Sequence, residues 1–257
     1  MNIYQHFRAE EREFIDQVIN WKEYVEQSYA PKLTDFLDPR EQQILAAVIG
    51  KHSDVKTKLF GGGAGTERQR AFLYPEYMAA QNEDFQIKLF ELEYAKKFIN
   101  IEHRQVLGSL MSLGLKRGKY GDILIDGERV QFFAAAEVAD YIRLQLESVG
   151  RALISLTEQP LEQAIHMNDA WVEMNVTVSS LRLDTVMSSL YNLSRQKSQL
   201  LIQHGHVKVN WTAVGNTAFE CGEGDIISAR GFGRAKIITI EGKTKKDKYR
   251  VIAGRKK

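Results

Sequence analysis

Apolar positions near the start of the chain recur every three or four residues. Phe14, Val18, Trp21 and Val25 fall on one side of a predicted helix. The stretch LDPREQQILAAVIG opens a second helix, with Asp38 as N-cap, Pro39 at the first helical position and Gly50 beyond its last apolar residues. VKTKLF and RAFLYP then read as strands on either side of GGGAGTERQ, whose glycines suit a flexible hairpin tip. Beyond Asn82 the pattern shortens to alternation. Phe85, Ile87 and Leu89 predict a half-buried strand in DFQIKLFELEY, and HRQVLGSLMSLGL follows as a helix. GDILID and RVQFFA make a hairpin around Asp126-Gly127, a strong two-residue turn signal. AEVADYIRLQLESVG is a helix carrying Val138, Ile142, Leu146 and Val149 on its apolar side, and RALISLTE is a last strand.

Those middle elements run βαββαβ, which predicts a ferredoxin-like or RRM-like domain. The segment RGKYGDILID lacks the aromatics that an RRM uses to stack RNA bases on its central strands. A connector follows, with a strand at Trp171 to Val178 and Ser180 placed to cap the next helix. In that helix Leu183, Val186, Met187 and Leu190 share one face, and Arg182 stands at its start. Ser194 caps a second helix that bears Leu200 and Leu201 and stops at Gly205. HVKVN is a strand that sets Lys208 opposite Val207 and Val209, and GDIISARGFGRAKIITI supplies two more strands around a glycine turn. The expected fold is α+β in three small domains. These are an N-terminal α/β segment (1–81), the βαββαβ domain (82–160) and, after a connector (161–180), two helices with a small sheet and a basic tail (181–257).

Composition narrows the function. The 257 residues are 44% apolar and 26% charged, as in an ordinary globular protein. The longest apolar runs, such as ILAAVIG, fall far short of the roughly 20 residues a membrane helix needs. The N-terminus has no signal-peptide core, and the single cysteine, Cys221, excludes a disulfide framework. A cytoplasmic protein without structural metal or cofactor is expected. The net charge of +2 conceals an asymmetry: residues 181–257 hold 15 basic and only 6 acidic residues. A basic third on an acidic remainder suggests a polyanionic partner. Lys243, Lys245, Lys246, Lys248, Arg255, Lys256 and Lys257 read as the tail.

Arg195 and Lys197 sit in the first turns of a helix, where positive charge opposes the macrodipole by roughly 0.3–1 kcal/mol each. An RNA phosphate reverses that sign, because the free N–H groups, the dipole and the basic side chains all then favour the anion. Arg182, Arg195, Lys197, Lys208, Arg230, Arg234 and Lys236 are therefore expected to contact phosphates, with Ser194 and Asn210 adding hydrogen bonds. Arg68, Arg70, His103, Arg104, Lys116 and Arg117 are candidates for a second RNA-facing edge.

The segment LRLDTVMSSLYNLSRQKSQLLIQHGHVKVN, with GDIISARGFGR after it, resembles the RNA-binding domain named for the fourth small-subunit ribosomal protein, the S-four domain. The matching elements are R-L-D, S-R, I-x-x-G-x-V-x-V-N and G-D-x-I-S-x-R-G; the departure is Trp211, where many members carry glycine. With HRQVLGSLMSLGLKRGKYGDI in the middle and GGGAGTERQR as a partial match to the family's arginine-rich, G-G-Y-like loop, the whole chain resembles the bacterial YlmH family. That resemblance implies a cytosolic factor that binds ribosomal and transfer RNA. It also implies a role on stalled large ribosomal subunits, in ribosome-associated quality control.

The chain matches no catalytic signature among those that accompany such domains. The glycine run lacks the Lys-Ser/Thr of a phosphate loop, since Gly65 is followed by Thr66-Glu67-Arg68. RLD at Arg182–Asp184 lacks the flanking glycine and T-x-G-L-L of a pseudouridine synthase; Asp184 reads as a surface partner for a basic group. The H-I-G-H and K-M-S-K-S signatures of a tyrosyl-tRNA synthetase and a methyltransferase G-x-G-x-G are absent. The expectation is a monomeric, non-enzymatic RNA binder with no membrane or small-molecule partner. The alternatives are an RNA-modifying enzyme with an unrecognised site and a ribosome-anchored scaffold whose acidic part binds a protein.

Overall fold

The computed structural model describes residues 7, 11–50, 53–166 and 171–256; residues 167–170 of the connector and Lys257 of the tail lie outside the described residues. The chain divides into two compact units, Met1–Met167 and Asn168–Lys257.

The first unit begins with α1 (Arg12–Ser28), β1 (Lys32–Leu37), α2 (Pro39–Ile49), β2 (Val55–Phe60) and β3 (Gln69–Pro75). The strands form an antiparallel sheet in the order β1-β3-β2. Asp38 starts α2 as its sequence predicts: the carboxylate accepts the N–H groups of Arg40 and Glu41, each at 2.9 Å, and Glu41 accepts Asp38 N–H in return. Val18, Val25, Leu45 and Ile49 of the two helices pack on Leu37, Ala71 and Leu73 of the sheet.

The unit continues through β4 (Ile87–Glu93), α3 (His103–Ser112), β5 (Tyr120–Asp126), β6 (Arg129–Ala135), α4 (Ala139–Gln145), a short hairpin of β7 (Ser148–Val149) with β8 (Ala152–Leu153), and β9 (Ser155–Gln159). The sheet order β5-β6-β4-β9, antiparallel throughout, is that of a ferredoxin-like βαββαβ unit. Its first strand is not half-buried as expected. Phe90 and Phe132 face Val106, Leu110 and Ile142 of the helices, whereas Leu89, Leu124 and Phe133 face Phe36, Phe72 and Phe85. The second face is thus covered by the preceding sheet and offers no platform for bases. The glycine run is not a free tip either. Gly62 has φ +98°, and a Cβ there would lie 2.5 Å from the Phe133 ring. The Asp122 carboxylate accepts the N–H groups of Glu67 and Arg68 at 2.6 and 3.1 Å. The segments read as two separate domains share one core.

The second unit holds β10 (Trp171–Val178), α5 (Leu183–Tyr191), α6 (Arg195–Gln203), β11 (Val207–Val209), β12 (Thr212–Ala213), β13 (Ile226–Ala229), β14 (Gly233–Lys243) and β15 (Tyr249–Lys256). Its antiparallel sheet runs β10-β15-β14-β13-β11-β12. Leu183, Val186, Met187, Leu190 and Ile202 of the helices cover Val207, Val209, Ile227, Ala229, Ala235, Ile237 and Ala253 of the sheet. The structure departs from the sequence pattern at both ends of this unit. The strand placed in the connector pairs with β15 along its whole length, and β15 is the stretch read as a basic tail. Its Val251 and Ala253 are buried, which is what the tail reading overlooked. Nor does Ser180 cap α5: Arg182 is the N-cap residue, and the Ser180 hydroxyl bonds Thr185 instead. Ser194 does cap α6, accepting Lys197 N–H at 3.2 Å. The β11–β12 turn closes over two residues despite Trp211, with Asn210 and Trp211 both left-handed.

Candidate nucleic-acid interface

The two helices of the second unit meet at a carboxylate. Asp184, in the first turn of α5, is completely buried. It accepts Arg182 Nε and Nη2 at 3.2 and 3.3 Å, Arg195 Nε at 3.0 Å and Gln199 Nε2 at 2.8 Å. Burial alone would raise its pKa; the hydrogen bonds from Arg182, Gln199 and Arg195 outweigh that and hold the carboxyl well below the usual range. Asp184 is therefore not a surface partner. It is an internal anchor that fixes two guanidinium groups whose side chains remain 39% and 56% exposed. This also gives Arg195 a reason to stand at a helix N-terminus, because the local carboxylate offsets the dipole there.

Around that anchor the basic side chains fall into two sets. Lys197 lies over the Phe232 ring at 5.3 Å, so the start of α6 sits beside the β13–β14 turn that carries exposed Arg230. Arg255 stacks on Tyr191 at 5.6 Å and donates to the Phe232 carbonyl at 3.2 Å. Arg182, Arg195, Lys197, Arg230 and Arg255 make the helical edge. Arg255 was assigned to the tail; its signal is the alternation Tyr249, Val251, Ala253, Arg255 in a strand. The second set is on the sheet. Lys208 pairs with Ser228, and Ser228 with Arg234, in a row across three strands, and Lys236 is two residues on. Their neighbours Val207, Val209, Ala235 and Ile237 point to the helices, so this row lies on the opposite face. Of the hydrogen-bonding candidates, Asn210 is used internally: its side chain donates to Asp225 at 2.8 Å and accepts Ile226 N–H at 2.9 Å.

The six residues expected to line a second edge do not do so together. Arg70 is 3% exposed and donates to the carbonyls of Thr34 and Gln86 and to both oxygens of Glu137. It is an interior strut that joins β1, the chain just before β4 and the Glu137 turn. Arg68 donates to the Phe36 and Tyr120 carbonyls, and Arg117 to those of Tyr120 and Gly121. Lys116 is exposed. His103 and Arg104 are at the start of α3, where Arg104 is 83% exposed and pairs with Glu102 at 2.8 Å.

Cys221 is buried, and burial, then Asp225, pushes its thiol up to about 12. Among the described residues no group of three or more His, Cys, Asp or Glu is arranged to hold a metal, and no helix is long and apolar enough to cross a membrane.

Comparison with known proteins decides the lineage. The chain is 48% identical over 259 aligned positions to "Ribosome-associated protein quality control protein P2" of Bacillus subtilis (strain 168), covering 100% of this chain and 99% of that one. The chain belongs to the YlmH family. Three family models divide it: "YlmH, N-terminal" matches residues 10–78, "Putative RNA-binding domain in YlmH" residues 80–163, and "S4 domain" residues 181–227. A solved structure, "Cell division protein ylmH from Streptococcus pneumoniae", is similar at 35% identity with a TM-score of 0.55, covering 63% of this chain and 99% of that one. The S4 match spans the Asp184 anchor and both helices, and it stops before Arg230, Arg234, Lys236 and Arg255. In this YlmH-family chain the basic surface thus extends onto β14 and β15, beyond the matched segment.

Proposed function

We propose that the chain is a non-enzymatic RNA-binding protein that holds structured ribosomal and transfer RNA, and that it acts on the large ribosomal subunit in quality control of stalled translation. The observation that carries the reading is the Asp184 anchor. A buried carboxylate that orients Arg182 and Arg195 costs desolvation, and its use is to present guanidinium groups in fixed directions. Lys197, Arg230 and Arg255 extend this edge, and Lys208, Arg234 and Lys236 add a second contact on the sheet. Phosphate contacts position a protein and carry little sequence information, so target choice comes from RNA shape. The name of the Bacillus relative supports the ribosomal setting.

Co-sedimentation with ribosomal subunits tests this, with wild type beside Lys197→Glu/Arg230→Glu. Both residues are exposed and neither supports Asp184, so the variant is expected to fold. The wild type is expected with the large subunit and the variant at the top of the gradient. A variant that still sediments would remove the helical edge as the anchor. A wild type that never sediments would move the RNA target off the ribosome.

A further inference from the structure

In the first unit, α1, β1 and the turn at Arg117–Lys119 wall a cleft of about 500 Å³. Its cationic side is unusual in its partners. Arg68 Nε and Arg117 Nη1 donate to the same oxygen, that of the Tyr120 carbonyl, at 3.3 and 2.6 Å. Two guanidinium groups are thus held side by side. Their other bonds run to the carbonyls of Phe36 and Gly121. Every one of these acceptors is a backbone dipole, and neither arginine ion-pairs with a carboxylate among the described residues. Asp122, which acts on both electrostatically, spends its oxygens on the N–H groups of Glu67 and Arg68.

The acids lining the cleft are committed elsewhere. Asp38 and Glu41 form the capping box of α2, and Asp35 pairs with Lys119 at 2.6 Å. Burial, then the charge of Arg68, lowers the Arg117 pKa to about 10, the direction expected of adjacent cations short of an anion. Exposed Lys116 lines the same side, and Trp21, set edge-on to Phe14 at 5.9 Å, supplies an aromatic surface.

We propose that this cleft is a phosphate site that takes one nucleotide, with its phosphate on the Arg68–Arg117 pair beside Lys116 and its base against Trp21. The planar guanidinium forks match phosphate oxygens, and the volume suits a single nucleotide. Choosing a nucleotide over another phosphate rests on the RNA-binding reading.

Trp21 fluorescence is the local readout. The full chain is titrated at constant ionic strength with inorganic phosphate, AMP and a short single-stranded RNA, beside Trp21→Phe; Trp171 and Trp211 also emit, so the Trp21 signal is the part of the change that Trp21→Phe lacks. A saturable change is expected in the wild type. Arg117→Gln is expected to weaken it by about tenfold or more and Lys116→Glu by a smaller factor. If Arg117→Gln does not fold, Arg117→Lys and the exposed Lys116→Glu carry the comparison. Response to RNA but not AMP assigns the phosphate to a polymer, and the reverse to a free nucleotide; both support the site. An unmoved Trp21 while RNA binds the wild-type chain overturns the cleft and leaves the RNA reading intact. No binding of RNA by any readout, with no response to phosphate or AMP, overturns both.

Discussion

Arg195 reaches from the first turn of α6 to Asp184 in the first turn of α5, with Nε 3.0 Å from a carboxylate that has no solvent exposure. The contact ties the two helices together and aims one of the cations of the helical edge. Removing the acid leaves half-exposed arginines that water can solvate, whereas removing the arginines strands a buried charge. Asp184→Ala is therefore expected to cost about 1–3 kcal/mol, and Arg182→Ala/Arg195→Ala at least as much. Denaturant titrations of both variants check the order, and an Arg182→Ala/Arg195→Ala chain as stable as wild type would refute the coupling.

The same carboxylate sets a pH signature. Its folded pKa is depressed, so its stabilisation is fully present above the unfolded value of about 3.9 and is lost as pH falls through the lower folded value. Wild type and Asp184→Asn are expected to differ in Tm by a constant amount above about pH 5, with the gap narrowing below about pH 4. Parallel Tm curves down to the acid limit would mean that the carboxyl is not depressed.

Arg70 gives the opposite kind of prediction. From sequence it stood as an RNA contact, yet it bridges Thr34, Gln86 and Glu137 inside the first unit. Arg70→Ala is expected to destabilise by about 1–3 kcal/mol, since it takes the Nε donor from the carbonyl of buried Thr34 and leaves Glu137 to Lys119 alone. RNA affinity of the folded fraction should be unchanged. A loss of affinity without a loss of stability would restore the contact role.

How much of this was readable differs by element. The helices of the second unit were legible because capping and stop chemistry is local: Ser194, Gly205 and the Leu183–Leu190 stripe need no distant partner. β15 was not legible. Lys243, Lys245, Lys246 and Lys248 crowd the chain just before it, and its apolar alternation gains meaning only when β10, some 70 residues earlier, pairs with it. The shared core of the first unit did leave a signal. In β6, Val130, Phe132, Phe133, Ala134 and Ala135 form a nearly continuous apolar run, which marks a strand buried on both faces. For the site, the alternation of HVKVN already set Lys208 opposite Val207 and Val209. What was not visible is that Arg234 joins Lys208 in one row through Ser228, because that rests on the pairing register of three strands.

Gly62 and Gly65 sit in one loop under different constraints. Gly62 combines φ +98° with the Phe133 ring 2.5 Å from an added Cβ, whereas Gly65 has φ +74° and open space. Gly62→Ala is expected to cost about 2–4 kcal/mol and Gly65→Ala about 1 kcal/mol. Equal Tm shifts for the two would show that the loop does not dock on Phe133.

The two basic faces of the second unit can be separated by salt dependence. Each phosphate contact releases counterions, so losing one reduces the slope of log K against log salt by about 0.7–0.9. Lys197→Ala on the helical edge and Lys208→Ala on the sheet are each expected to produce that reduction for structured RNA, and the double variant their sum, because the residues share no partner. The outcome is decisive for geometry. If Lys208→Ala leaves the slope unchanged while Lys197→Ala lowers it, RNA lies on the helical edge alone, and Arg234 and Lys236 on the same sheet face drop out of the interface with it.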